Sequence, residues 1–186
     1  MLYIINTIES RNIQYTKTYN QLIALGVDKE NIIIDYGYTQ KDRPCKKPYH
    51  VIHYNFFERI LPMVIDRKED LVYLEDSVKP LQKVEDIEID AQKINWLGYI
   101  FNNPSFTCGV KMVYIPYEIC VDLLDKKDIY RPQYIDRLIR NYGIKHNCLK
   151  IDKNYIKLYR VTDSSWGTTN QILNKETFKK KLYVEL

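Results

Sequence analysis

Along the chain, short uninterrupted apolar runs alternate with longer stretches whose apolar residues recur every three or four positions. Leu2–Ile5 is such a run, closed by Asn6-Thr7, and it predicts a strand buried on both faces. From Ile13 to Leu25 the spacing of Tyr15, Tyr19, Leu22 and Ile23 predicts a helix, with Gly26 as its stop. Ile32–Ile34 reads as a second buried strand, and residues 35–48, with Gly37, Pro44 and Pro48, as a polar loop. Ile52, Phe56, Ile60 and Val64 stand four apart and predict a helix over 49–65, which Pro62 should kink or shorten. Leu71–Leu74 is the third apolar run. Strands alternating with helices imply right-handed crossovers and a mainly parallel sheet.

The texture changes after Pro80. Residues 82–95 are charged and aperiodic, which predicts an excursion over the sheet. Trp96–Phe106 is aromatic, suited to lining a site or covering the core. Val110–Ile115 reads as a strand, with Pro116 in the first turn of a helix carrying Ile119, Leu123 and Leu124. Ile135, Leu138, Ile139 and Tyr142 mark a short helix closed by Gly143, and Leu149–Ile151 and Ile156–Val161 read as further strands. From Asp163 the chain is polar, ending near Lys179-Lys180-Lys181. The reading is one α/β domain: a nucleotide-binding half over 1–80, a second half over 81–162, and a polar tail.

Composition narrows this only a little. With 186 residues, 45% of them hydrophobic and 28% charged, the chain suits one ordinary globular domain. A net charge of +4 permits a polyanionic partner without requiring one. Cys45, Cys108, Cys120 and Cys148 stand singly, as reduced thiols of a cytoplasmic protein would, with no zinc-site spacing. No apolar run approaches the roughly 18 residues of a membrane span.

The chemistry concentrates at Glu75-Asp76, where the third apolar run stops. Acids at the carboxyl end of a buried strand stand where open α/β sheets hold their ligands. Paired carboxylates suit a hard cation, Mg²⁺ or Mn²⁺, escorting a diphosphate. Alone, the same pair is more often a strand ending in a solvated acidic turn. Lys111 and Lys179–Lys181 can meet phosphates or simply face water, and His146 reads as a surface loop residue.

In order, these pieces resemble glycosyltransferase family 25, whose members include lipooligosaccharide and collagen sugar transferases. The opening Tyr3-Ile4-Ile5-Asn6, then Arg11, then Leu22 through Gly26, is similar to that family's start. His53 ahead of Leu74-Glu75-Asp76, then Gly109 with Val113–Ile115, Leu123-Leu124 and Tyr134-Ile135-Asp136, continue the pattern over about residues 1–160. Two positions depart from it. Ser77 stands where the family has a third acid, and Ile52 where it has a Ser before His.

The resemblance implies a GT-A-type (Rossmann-like) fold and inverting transfer of a sugar from a nucleotide-diphosphate donor to an acceptor hydroxyl. It implies donor contacts at Asn6, Arg11, His53 and Glu75, and Mn²⁺ or Mg²⁺ held by Asp76 and Glu75. Asp136 would be the general base; its bland alternative is a helix acid paired with Arg140. Saccharide, protein hydroxyl and hydroxymethylated DNA base all remain open as acceptor. A non-catalytic sugar-nucleotide or nucleic-acid binding protein on the same fold is the alternative reading, favoured by Ser77 and the chain's short length.

Overall fold

A computed structural model describes residues 1–7, 9–38, 48–99, 110–152 and 154–158. A sheet of six strands forms its centre, in the order β2-β1-β3-β6-β5-β7. These are β1 (Leu2–Asn6), β2 (Ile32–Asp35), β3 (Leu71–Glu75), β5 (Ile94–Tyr99), β6 (Val110–Ile115) and β7 (Leu149–Ile151). β1 lies between β2 and β3 and runs parallel to both. β6 runs antiparallel to β3 and β5, and β7 returns parallel to β5. The sheet is therefore mainly parallel, with one reversed strand. β4 (Val78–Pro80) and β8 (Ile156–Leu158) pair as a separate two-stranded ribbon that packs on one face of the sheet.

Alternation along the strands divides the core into two layers. Leu2, Ile4, Leu71, Tyr73, Trp96, Val113 and Ile115 face one side, against helices α2 (Pro48–Asn55), α3 (Leu61–Arg67), α4 (Tyr117–Asp125) and α5 (Ile135–Lys145). Tyr3, Ile5, Val72, Leu74, Leu97, Met112 and Tyr114 face the other, against helix α1 (Asn12–Ala24) and the segment around Val84 and Ile87. Both faces are covered, which is why the strands read as unbroken apolar runs.

Several elements differ in detail from expectation. The helix expected over 49–65 is three pieces: α2, a wide π turn over Phe56–Ile60, and α3 with Pro62 in its first turn. Pro62 has no N–H to bond the turn before it, and the widened turn absorbs that loss. Gly143 does not close α5, which continues to Lys145. Its place inside the helix has a packing reason, because a Cβ there would stand 2.7 Å from Leu149 Cβ. The charged stretch expected to cross the sheet gives way to β5 at Ile94. Only Trp96–Tyr99 of the aromatic stretch is described; 100–106 and the tail from Asp163 lie outside the described residues. Of Ile156–Val161, the described part is Ile156–Leu158. No helix among the described residues is long and apolar enough to cross a membrane.

Candidate functional site

Parallel strands place their last residues along one edge, and here that edge carries most of the buried polarity. Asn6 closes β1 and stands in register with Asp35 of β2 on one side and Glu75 of β3 on the other. Because β6 is reversed, its second residue, Lys111, reaches the same edge and ion-pairs with Glu75. The row Asp35, Asn6, Glu75, Lys111 thus follows from strand direction alone.

Asp76 lies one residue beyond β3, with 2% of its surface exposed. Thr7 Oγ1 donates to Asp76 Oδ2 at 2.7 Å, and Arg11 Nη2 pairs with Asp76 Oδ1 at 2.9 Å. The Asp76 carbonyl accepts a hydrogen bond from Thr18 Oγ1 at 2.8 Å, fixing the turn to α1. Burial pushes the Asp76 carboxyl above its ordinary value, and the Thr7 hydroxyl and Arg11 guanidinium offset only part of that. Arg11 Nε is buried with no hydrogen-bond partner. Ser77 is buried beside this pair. The described residues contain no group of three His, Cys, Asp or Glu side chains arranged to hold a metal ion.

A second network anchors the other end of the edge. Arg59 donates to Asp35 Oδ1 through Nε at 3.1 Å and Nη2 at 2.8 Å. Asn55 Nδ2 donates to Asp35 Oδ2 at 2.5 Å and to Asn6 Oδ1 at 3.1 Å. The Arg59 guanidinium lies over the Tyr38 ring, 5.5 Å from its centroid. Gly37, at φ +63°, brings the chain so close to Asn55 that a Cβ would meet Asn55 Nδ2 at 2.9 Å. Sequence reasoning overlooked Asp35, although its signal is that of Glu75: an acid directly after an apolar run. Thr7, Thr18 and Asn55 gave no signal, being small polar residues whose partners are distant in sequence.

The edge therefore brings together Asn6, Arg11, Glu75 and Asp76. His53 belongs to the helical layer instead. It is 3% exposed, its ring lies 4.8 Å from that of Phe57, and it bonds the Tyr130 backbone. Burial, with the charge of His50, lowers its pKa to about 4, so the ring is neutral at physiological pH. Asp136 stands in the first turn of α5, with Oδ1 accepting the Arg137 N–H at 2.8 Å. The carboxyl end of α5 lies beside the amino end of β5, since Gly143 O accepts from Cys148 N and Cys148 O from Ile94 N.

No protein-family model and no curated protein sequence matches the chain. Solved structures do resemble it. The first is a glycosyltransferase involved in glycosylation of the major capsid of PBCV-1, with TM-score 0.56 and 9% identity, covering 81% of this chain and 80% of that one. Another is the galactosyltransferase LgtC in complex with donor and acceptor sugar analogs, with TM-score 0.49 and 10% identity, covering 97% and 94%. A third is the glycosyltransferase GlyE of Streptococcus pneumoniae TIGR4, with TM-score 0.43 and 12% identity, covering 82% and 45%. The first establishes a shared fold, the α/β architecture expected from the sequence; the other two are too distant to add to it.

Proposed function

We propose that this protein is a glycosyltransferase that moves a sugar from a nucleotide-diphosphate donor to an acceptor hydroxyl. One observation carries the reading: the charged row at the carboxyl edge, ending in buried Asp76, in a fold shared with a glycosyltransferase. Donor binding along Asn6, Arg11 and Glu75 fits that edge, because ligands of such sheets lie beyond the strand tips. The order of motifs supports placement near family 25, and with it inversion at the sugar carbon. His53, neutral and packed on Phe57, would support the helical wall of the site.

In the proposed step the acceptor oxygen attacks the sugar carbon as its proton passes to Asp136. The bond from that carbon to the diphosphate oxygen breaks, and the nucleotide diphosphate leaves with the electron pair. Asp136 takes the base's role in this reading because the resemblance to family 25 carries an acid to this position, and a carboxylate can accept the proton. The acceptor is a saccharide, a protein hydroxyl or a hydroxymethylated DNA base.

Mass spectrometry after incubation with a panel of sugar nucleotides and these acceptors tests the reading. A new glycosylated product, or slow donor hydrolysis, is expected. Asp136→Asn should lower kcat by about 10²–10⁴-fold while leaving donor affinity nearly unchanged. Saturable nucleotide binding with no turnover across the panel would instead identify a binding protein.

A further inference from the structure

We infer that the diphosphate of the donor is neutralised by Arg11 and Lys111, in place of a divalent cation. The inference rests on the donor-binding reading above and concerns what supplies the counter-charge. A hard divalent ion needs carboxylate oxygens free to coordinate it. Here Thr7 and Arg11 occupy both oxygens of Asp76, and Lys111 occupies one of Glu75. The third position of the acidic motif is Ser77, a neutral hydroxyl. The donor set therefore does not fit a divalent ion.

The same contacts describe an anion site. Asp76, buried and rigidly held, fixes the Arg11 guanidinium through Nη2 and leaves Nε–H buried with no acceptor. A buried donor without a partner is expensive, and a phosphate oxygen would satisfy it. Lys111 is poised on the neighbouring strand by Glu75, its side chain 17% exposed. Glu75 is itself only half-buried, with 35% of its side chain exposed, so the pair borders solvent where a second anion can share Lys111. Guanidinium and ammonium groups at one strand edge recognise a diphosphate by charge-assisted hydrogen bonds, with no metal ligand required. They also stabilise the charge that grows on the leaving group as the sugar bond breaks.

Calorimetric titration of the full chain with UDP, GDP and ADP, in EDTA and again in MnCl₂, tests this. At least one nucleotide is expected to bind with the same affinity, within about threefold, in both buffers. Lys111→Gln should weaken that binding by about 10–100-fold, the range for loss of one charged hydrogen bond, with an unchanged melting temperature. Arg11→Gln should do the same; if it unfolds the chain, Lys111→Gln and the EDTA comparison still decide. Binding that appears only with Mn²⁺, or that survives Lys111→Gln, would overturn the inference while leaving the donor-binding reading in place. Failure of all three nucleotides to bind in either buffer would overturn both.

Discussion

Asp76 combines two properties that seldom coincide in a structural residue: it is almost wholly buried, and burial raises its carboxyl above the ordinary value. The native state therefore binds its proton more tightly than the unfolded chain does. Its contribution to stability is fully present below the ordinary carboxylate value and is lost as pH rises through the raised native value. At neutral pH the charge is a burden on the fold, tolerated for what it holds. Asn in the same place has nearly the same shape, keeps an oxygen for Arg11 and can donate to Thr7. Asp76→Asn should accordingly melt at or above the wild-type temperature at pH 7, with the advantage shrinking toward pH 4. Sugar transfer should fall by at least about 10²-fold, as for loss of a group that orients transition-state charge. A variant that is destabilised at pH 7 yet fully active would make Asp76 a structural anchor. Of this, the sequence made Glu75-Asp76 and Arg11 visible as chemistry but not their pairing, because Arg11 and Asp76 meet only when β1 and β3 align.

At the scale of elements, legibility followed burial. β1, β2 and β3 are covered on both faces, so nothing polar interrupts them and each is plain in the sequence. β5 is not, because Asn95 and Gly98 break its apolar pattern. Asn95 is fully buried and is satisfied locally, accepting from Asp90 N at 2.9 Å and donating to Asp90 O and Lys93 O at 2.8 and 2.6 Å. Gly98 marks a shift in the register between β5 and β6. It also lets β8 approach, because a Cβ there would meet three atoms of Ile156 at 2.8–2.9 Å. Ile156 is β-branched and both its γ-carbons face Gly98, so turning χ1 to another rotamer still leaves one of them near the new methyl. Gly98→Ala should therefore destabilise the protein by about 1–3 kcal/mol, the usual range for overpacking. Adding Ile156→Ala should recover part of that loss, and urea titration of the two single variants and the double variant measures the coupling. Strictly additive losses would mean that the β5–β8 approach is not tight.

For the molecule as a whole, the reversed strand β6 matters most, and no local signal announced it. An apolar run reads the same in either direction, so the sequence predicted a strand at Val110–Ile115 without its orientation. That orientation has two consequences. It delivers Lys111 to the edge that carries Glu75, and it joins the first 80 residues to the rest through the β3–β6 ladder. The two sequence halves should consequently not fold separately. Tyr73 and Leu71 share one core layer with Trp96, Val113, Ile115, Leu138 and Tyr142, and among the described residues β4 pairs only with β8. Tyr114 ties the halves again by donating to Asp70 Oδ2 at 2.9 Å, and Asp70 Oδ1 receives the Tyr117 N–H at 2.8 Å at the start of α4. A fragment of residues 1–80 would lose α4 and α5 from one core layer and Val84, Ile87 and Ile156 from the other, and would leave the β3 edge unpaired. It should show no cooperative thermal transition by circular dichroism and should bind no nucleotide diphosphate, although it contains Asn6, Arg11, Glu75 and Asp76. Mixing it with a fragment of residues 81–186 should restore both properties if either fragment keeps the chain soluble. A sharp melting transition from residues 1–80 alone would show instead that the donor half is an independent domain, with the reversed strand an addition to it.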